Sequence, residues 1–140
     1  MKTVAVTKEI PVSADAAWAI VRTGDCMDRW SPMVTSCRLE GSGPGARRVC
    51  IINEKQLDET IEAVDDASRL FQYRIDRQDL MPITNVRGVI HIAPISVQAS
   101  QVLWFVNLDV LDEAAWPKVK DGIEAIYGAS IDGLAALAAA

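Results

Sequence analysis

The chain has 140 residues, a length that suits one folded domain with a core and a modest cavity. Half of the residues are hydrophobic and 24% are charged, the ordinary composition of a water-soluble globular protein. The formal net charge of −5 argues against nucleic acid as a partner, because phosphate binding needs a basic patch, and it disfavours an anionic membrane surface. We therefore expect residues 1–140 to form a single domain that binds neither.

The cysteine and histidine content argues against the common metal sites. Cys26, Cys37 and Cys50 are odd in number and show no C-x-x-C spacing, so neither a disulfide framework nor a zinc site is indicated. His91 is the only histidine, and we expect no metal and no cofactor. No stretch reaches the roughly eighteen apolar residues of a membrane span, and no apolar run precedes a cleavage site near the N-terminus. These features predict a cytoplasmic protein without a membrane span.

The first segment predicts a half-buried β-strand. Val4, Val6 and Ile10 alternate with polar or small residues, in the period of two that strands show. Lys8 falls in the apolar phase. It either marks a strand end or bulge whose amine reaches solvent, or it carries its charge into a cavity.

A short helical insert follows this strand. Ser13 is a good N-cap for a helix that ends near Val21, and Asp25 can cap a second short turn that carries Met27 and Trp30. We expect Trp30 to end the insert as an apolar lid residue.

The middle of the chain reads as six further strands. The connections between them are too short to hide crossovers, so the sheet should be an antiparallel meander. A four-residue turn at 53–56 would place Cys50 opposite Glu59 and Arg48 opposite Ile61. The last two strands should pair Gly88 with Val106, Ile90 with Trp104 and Ile92 with Val102. The predicted bounds are Val34–Glu40, Arg47–Ile52, Leu57–Val64, Leu70–Ile75, Val86–Ala93 and Gln101–Asp109.

The last segment predicts one long amphipathic helix from about Ala114 to Leu137. Apolar or small side chains recur there every three or four residues, with Tyr127 and Ile131 flanking the stripe. Pro117 is tolerable only in the first turn, so regular hydrogen bonding should begin close to Trp116. The stripe consists of Val119, Ile123, Ile126, Ser130, Leu134 and Leu137. The predicted fold is therefore α+β: a seven-stranded curved antiparallel sheet gripping a long C-terminal helix.

Three glycines interrupt the predicted helix, each at a cost of about 1 kcal/mol relative to alanine. Gly122 and Gly133 flank the apolar stripe, where a small residue lets the sheet approach or leaves room for a ligand. Gly128 lies on the opposite face, and the sequence gives no packing reason for it.

Several loose motifs, in their order and spacing along nearly the whole chain, resemble the START-like superfamily called SRPBCC, and within it the polyketide cyclase/dehydrase-like branch. They are IPVSADAAWAIV, DRWSPMV, GSGPGARR, ETIEAVDDASRLFQYRI, LMPI, VLWFVN and YGASIDGLAAL. The resemblance implies a helix-grip fold with a deep hydrophobic cavity between the sheet and the last helix. Members of the family bind lipids, hormones or polyketides, and some of them catalyse reactions, so the fold alone does not define an activity.

Glu59 is the strongest candidate for a ligand-binding or catalytic residue. The alternation of Leu57, Glu59 and Ile61 places a carboxylate on the face assigned to the cavity, where lost solvation would make it a general base unless a cation offsets the charge. Arg48 on the adjacent strand shares this phase and could pair with Glu59 diagonally. The alternatives are a structural ion pair at the rim, or a one-residue phase error that sends Glu59 to solvent.

Tyr73 and Trp104 would add a hydroxyl and an indole N–H within apolar surroundings, groups that orient a ligand when they are buried. Plain core packing is the alternative for both. We take Glu59, Arg48 and Tyr73 as candidate catalytic residues. The candidate ligand-binding residues are Trp30, Cys50, Phe71, Ile90, Trp104, Ile123, Ile126, Tyr127 and Ser130.

Three functional hypotheses follow. The first is a module that binds a small hydrophobic or aromatic molecule in a lipid- or polyketide-like class. The second is a cyclase or dehydratase in which Glu59 abstracts an acidic proton next to a ketone and Arg48 or Tyr73 stabilises the enolate. The third is a protein–protein adaptor without a small ligand. The sequence leaves open whether the chain is a monomer or a homodimer.

Overall fold

The computed structural model describes all of residues 1–140 and contains seven strands and three α-helices. The N-terminal elements are β1 (Lys2–Ile10), α1 (Ala14–Val21) and α2 (Met27–Trp30). The sheet continues with β2 (Val34–Glu40), β3 (Arg47–Ile52), β4 (Lys55–Asp65), β5 (Leu70–Arg77), β6 (Ile83–Ser96) and β7 (Ala99–Val110). A 3-10 turn at Glu113–Ala115 leads into α3 (Trp116–Ala139).

The sheet is an antiparallel meander of β2 to β7, with the first strand added at one edge. Its order is β1-β7-β6-β5-β4-β3-β2, so the N-terminal strand lies beside β7 and β2 forms the far edge. The predicted register of β6 and β7 is confirmed, including the facing pair Ile90 and Trp104. The curved sheet packs around α3, and the predicted α+β helix-grip fold is confirmed.

The β3–β4 hairpin corrects one predicted register. Ile52 pairs with Lys55, so the turn contains only Asn53 and Glu54, and both of these residues have left-handed backbone with φ of 50° and 65°. Two positive φ values are the requirement of the tight two-residue turns that suit twisted hairpins. The shift brings Arg48 directly opposite Glu59 instead of diagonal to it. Because the shift is an even number of residues, each side chain keeps its predicted face.

Helix α3 buries one face against the sheet and the short helices. Regular helix begins at Trp116 with Pro117 in the first turn, as predicted. Tyr127 and Ile131, predicted to flank the apolar stripe, are buried in it. By length and composition the segment Glu113–Ala139 could also cross a membrane, but a long core helix satisfies the same criteria. Its buried face is made of Val119, Ile123, Tyr127, Ser130, Ile131 and Leu134.

Close packing at the C-terminal half of α3 explains Gly133 but not Gly128. A Cβ atom at Gly133 would lie 1.9 Å from the carbonyl oxygen of Trp30, so only glycine lets α2 approach the helix this closely. Beside Gly128 lies the amine of Lys8, which donates a hydrogen bond of 3.3 Å to the Gly128 carbonyl and pairs with Asp132 at 2.9 Å. Lys8 therefore does not carry its charge into a cavity. Its partly exposed side chain links β1 to α3.

Candidate functional site

A cavity of ≈ 100 Å³ lies between the sheet and the first half of α3, and 16 of its 19 lining residues are hydrophobic. The lining comes from α2 and the residue after it, from β2 to β7 with the β5–β6 loop, and from α3. The lining residues are Met27, Ser31, Val34, Cys50, Ile52, Leu57, Glu59, Tyr73, Ile75, Gln78, Leu80, Met81, Ile83, Val86, Trp104, Val106, Ile123, Ile126 and Tyr127. The space is thus an apolar compartment with few polar groups in its wall.

Glu59 is the one charged residue on this wall. It is only 4% exposed, and Arg48, at 2% exposed, donates hydrogen bonds to both of its carboxylate oxygens through Nε at 2.9 Å and Nη2 at 3.3 Å. Arg48 also donates to the Gly24 carbonyl at 3.3 Å. Two buried charges are tolerated here because they neutralise each other in a bidentate geometry.

Arg48 lies behind Glu59, between two aromatic rings. Its guanidinium carbon is 5.4 Å from the ring centroids of both Phe71 and Tyr73. Burial by itself lowers the pKa of Arg48, but the Glu59 carboxylate outweighs it and the net pKa is raised. Arg48 therefore remains a permanent cation that fixes the orientation of Glu59 without lining the cavity itself.

Two tyrosines and a tryptophan form a hydrogen-bonded cluster on the same wall. The Tyr73 hydroxyl lies 3.0 Å from the Tyr127 hydroxyl and accepts a hydrogen bond of 3.0 Å from Trp104 Nε1. The Trp104 and Tyr127 rings stack, with centroids 4.1 Å apart and an interplanar angle of 12°. The sheet and α3 thus contact each other through three aromatic side chains that are joined by two hydrogen bonds and one ring stacking.

The tyrosine cluster keeps one O–H proton uncommitted. Trp104 Nε1 can only donate, so one Tyr73 acceptor position is filled by it. The two hydroxyls own two protons and share one hydrogen bond, and whichever of Tyr73 or Tyr127 donates, the other proton has no partner among protein atoms. Together with Glu59, whose carboxylate has more lone pairs than Arg48 occupies, the site offers one donor and one acceptor.

Both tyrosines stay protonated well above neutral pH. Burial, followed by the negative charge of Glu59, raises the pKa of Tyr73 to about 12. The pKa of Tyr127 is raised well above its ordinary value by burial and by the neighbouring Tyr73. The hydroxyls therefore act as neutral hydrogen-bond donors across the physiological range.

A surface groove of ≈ 390 Å³ adjoins the cavity. Four residues line both spaces and so form the partition between them: Ile52, Leu80, Met81 and Ile126. Drug-sized ligands fill pockets of about 300–1,000 Å³, so the cavity alone suits a small ring. With the groove, the available space reaches that range.

The structure brings seven of the predicted site residues to the cavity wall and places five behind it. Those on the wall are Cys50, Glu59, Tyr73, Trp104, Ile123, Ile126 and Tyr127. Those behind it are Trp30, Arg48, Phe71, Ile90 and Ser130, which share the correct faces but are covered by other side chains.

The residues behind the wall make packing and hydrogen-bond contacts in the structure, and their roles toward a ligand stay a prediction. Trp30 packs on the Trp104 ring at 5.7 Å between centroids instead of forming a free lid. The Ser130 hydroxyl donates to the Ile126 carbonyl at 2.7 Å and contacts the Ser31 hydroxyl at 2.8 Å. Phe71 and Ile90 are almost completely buried, at 1% and 2% exposure.

The β5–β6 loop contributes wall residues that the sequence did not indicate. Gln78 holds this loop together: its side-chain oxygen accepts from the backbone N–H groups of Leu80 and Met81, and its amide donates to the carbonyls of Met81 and Ile83. The only sequence signal was the break at 79–82, because a loop has no periodicity that predicts where its side chains point.

The helix-grip fold and its apolar cavity define a START-like protein. Residues 1–139 match the family model described as polyketide cyclase / dehydrase and lipid transport, and the chain belongs to that family. The predicted membership in SRPBCC is thereby confirmed. No curated protein matches the chain significantly.

Solved structures show the same fold at low sequence identity. The protein XoxI from Bacillus cereus superposes with a TM-score of 0.87 at 20% identity, over 98% of this chain and 95% of that one. Norcoclaurine synthase from Thalictrum flavum, in complex with dopamine and hydroxybenzaldehyde, gives a TM-score of 0.76 at 16% identity, over 97% and 85% of the chains. The di-domain ARO/CYC BexL from the BE-7585A biosynthetic pathway gives 0.82 at 15% identity, over 96% of this chain and 45% of that one.

Proposed function

We propose that the protein binds a small hydrophobic or aromatic molecule between the sheet and α3. The observation that carries the proposal is the apolar cavity with a few polar groups in its wall, among them Glu59, Tyr73 and Tyr127. Removing apolar ligand surface from water contributes about 25 cal/mol per Å². The polar groups would then select orientation, since a buried ligand oxygen needs a partner.

The hydrogen-bond inventory narrows the ligand class. A carbonyl or ether oxygen would accept the uncommitted proton of the Tyr73–Tyr127 pair. A ligand hydroxyl could donate to Glu59, whose position Arg48 fixes. An oxygenated ring with an apolar remainder fits this pattern, with the ring in the cavity and the remainder reaching the groove past Met81 and Ile126. The structure of norcoclaurine synthase, with dopamine and hydroxybenzaldehyde bound, supports oxygenated aromatic compounds as a class to test.

Mass spectrometry under native conditions tests whether a small molecule co-purifies, and an anilinonaphthalene dye serves as the probe in titrations. We expect the dye to change tryptophan fluorescence, because Trp104 is the tryptophan that lines the cavity. Val106→Leu, which adds bulk inside the cavity, should weaken dye binding. Val102→Leu is the matched control, since Val102 lies on the same strand and face but outside the cavity wall. Equal dye affinity in both variants and the wild type would overturn the proposal.

A cyclase or dehydratase using Glu59 as general base is the second candidate. The observation that favours it is that Glu59 is the carboxylate on the cavity wall, which also carries a tyrosine O–H that could stabilise an enolate. Against it, Arg48 engages both Glu59 oxygens, so the base would have to act through a remaining lone pair.

Incubation with a linear poly-β-ketone, followed by mass spectrometry for loss of water, tests this second candidate. The informative variant is Arg48→Met combined with Glu59→Leu, because removing both charges avoids an unpaired buried ion. Turnover by the wild type but not by this double variant, with both folded, would favour the enzyme. Turnover that survives in the double variant would exclude Glu59 as the base.

The adaptor hypothesis receives less support. It predicts a space filled by side chains and an exposed apolar patch, whereas the cavity is open. The large exposed hydrophobic residues are Met1, Ile95, Val97 and Leu111, at the N-terminus, the β6–β7 turn and the end of β7.

A further inference from the structure

Two cysteine thiols face each other across the edge of the sheet. Cys37 on β2 and Cys50 on β3 are directly paired in the antiparallel register, and their sulfur atoms are 3.5 Å apart. Cys50 is 1% exposed and also lines the cavity, whereas Cys37 is partly exposed on the outermost strand. The third thiol, Cys26, has other partners, the Ile20 carbonyl and the Thr23 hydroxyl.

We propose that Cys37 and Cys50 form a reversible modification site, a thiol pair that a hydroperoxide oxidises to a cross-strand disulfide. The facing position of the two residues carries the inference. Directly opposed residues of antiparallel strands have Cα atoms about 4.5–5.5 Å apart, which lies within the range that a disulfide spans. The bond can therefore form by rotation of the side chains, bringing the sulfurs from 3.5 Å to the roughly 2.05 Å of a disulfide.

The environments of the two sulfurs give them different parts in the reaction. The S–H of Cys50 donates to Cys37, and this hydrogen bond, aided by the positive charge of Arg48, lowers the pKa of Cys37. The same hydrogen bond, together with burial, raises the pKa of Cys50. Cys37 is thus the more accessible thiol and the one whose pKa is lowered, and Cys50 is the protonated neighbour that resolves its oxidised form.

The reaction balances in two steps. The Cys37 thiolate attacks the terminal oxygen of the hydroperoxide, the O–O bond breaks, and the released alkoxide or hydroxide takes up a proton to leave as alcohol or water. The Cys50 sulfur then attacks Cys37 sulfenic acid, forming the S–S bond and expelling the Cys37 oxygen as water, with the Cys50 proton transferred to it. Two thiols are oxidised by two electrons and one hydroperoxide is reduced; an external dithiol reverses the change.

Peptide mapping tests the assignment directly, because trypsin places the three cysteines on separate peptides. Cys26 lies in residues 23–29, Cys37 in 30–38 and Cys50 in 49–55. The reduced protein is treated with equimolar hydrogen peroxide, alkylated under denaturing conditions and digested. We expect two of the three thiols to be lost, a mass decrease of about 2 Da for the pair before digestion, and a linked peptide joining 30–38 to 49–55. Dithiothreitol should restore all three thiols.

Single substitutions provide the controls. Cys26→Ser should form the same disulfide, whereas Cys37→Ser and Cys50→Ser should form none. Cys50→Ser should instead accumulate a sulfenic acid at Cys37 that dimedone traps, because the resolving thiol is missing. Retention of all three wild-type thiols, a link through Cys26, or a disulfide between two chains would overturn the proposal. Cys37→Ser alters the edge strand only, so it keeps the test valid even if Cys50→Ser fails to fold.

Oxidation of the two thiols should also change ligand binding in the cavity, an extension that rests on the proposed function. Forming the bond draws the Cys50 sulfur from the cavity wall toward β2. We expect peroxide treatment to change the affinity for the anilinonaphthalene dye in the wild type and to leave it unchanged in Cys37→Ser. Equal affinity of oxidised and reduced wild type would overturn this coupling, whereas a dye that binds neither form would count against the proposed function and leave the peptide map unaffected.

Discussion

The two halves of α3 share one apolar periodicity but meet the rest of the molecule in different ways. The first half lines the cavity through Ile123, Ile126 and Tyr127. In the second half, Ile131 and Leu134 are completely buried, and Gly133 lies against the backbone of α2. One end of the grip is therefore open and the other is closed.

This difference shows how a stable domain can hold free volume. An empty space costs free energy, because the atoms that line it lose contacts. Here the tightly packed end anchors α3, and at the open end the Tyr73–Trp104–Tyr127 cluster and the Arg48–Glu59 pair hold the wall in place.

The largest effect is expected at the open end, for Glu59→Gln. The substitution leaves the Arg48 charge buried without its counter-ion, and breaking a buried pair in this way costs about 3–5 kcal/mol. Urea unfolding followed by circular dichroism measures the loss. Replacing both residues, as Arg48→Met with Glu59→Leu, should recover most of it. A loss below about 1 kcal/mol for Glu59→Gln would mean that solvent reaches the pair.

Alkaline pH should destabilise the same end. The folded-state pKa of Tyr73, about 12, lies above the ordinary value of 10.0, a difference worth about 3 kcal/mol. This contribution is fully present below about pH 10 and is lost as the pH rises through about 12. The chain has 2 tyrosines, so tyrosinate absorbance reports on this cluster alone. As the pH increases, we expect the tyrosinate absorbance to rise over the same range in which the protein unfolds. In the variant Tyr127→Phe, all of the tyrosinate absorbance comes from Tyr73. Titration near pH 10 in the folded protein would contradict the burial of these hydroxyls.

At the closed end, Gly133→Ala should destabilise the protein by about 1–3 kcal/mol, the usual cost of overpacking. The added Cβ would meet the Trp30 carbonyl oxygen at 1.9 Å, and backbone cannot turn aside as a side chain can. Gly128→Ala in the same helix is the matched control. Its Cβ would meet only the end of Lys8 at 3.7 Å, so the gain in helix propensity of about 1 kcal/mol should dominate. Thermal unfolding of both variants should show shifts of opposite sign.

The smallest effect is expected for Lys8→Met, which removes the ion pair between β1 and Asp132. The two side chains are 37% and 67% exposed, and such surface pairs contribute about 1 kcal/mol or less. The difference from the wild type should shrink further in high salt, because exposed charges are screened. Urea unfolding of both proteins at low and high ionic strength measures this difference in stability. A large loss of stability that does not depend on salt would contradict the description of Lys8–Asp132 as a screened surface pair.

The sequence by itself determined the order of the elements and the face that each side chain takes. Alternation along β6 and β7 was enough to predict that Ile90 faces Trp104, and the period of α3 predicted four of the six residues on its buried face. These are local properties, because the backbone geometry of strands and helices repeats every 2.0 or 3.6 residues. The same alternation placed Glu59 and Tyr73 on the face toward the helix, although their roles toward a ligand stay a prediction.

Only the tertiary structure decided which of those side chains meet. A two-residue turn at Asn53 and Glu54, instead of a four-residue one, put Arg48 directly opposite Glu59 and Cys50 beside Leu57. Contacts between distant segments, such as Trp30 with Gly133, depend on packing in three dimensions, which no local period encodes. For this reason the sequence could indicate a cavity and its face, but the residues that cover or line it emerged only when sheet and helix were brought together.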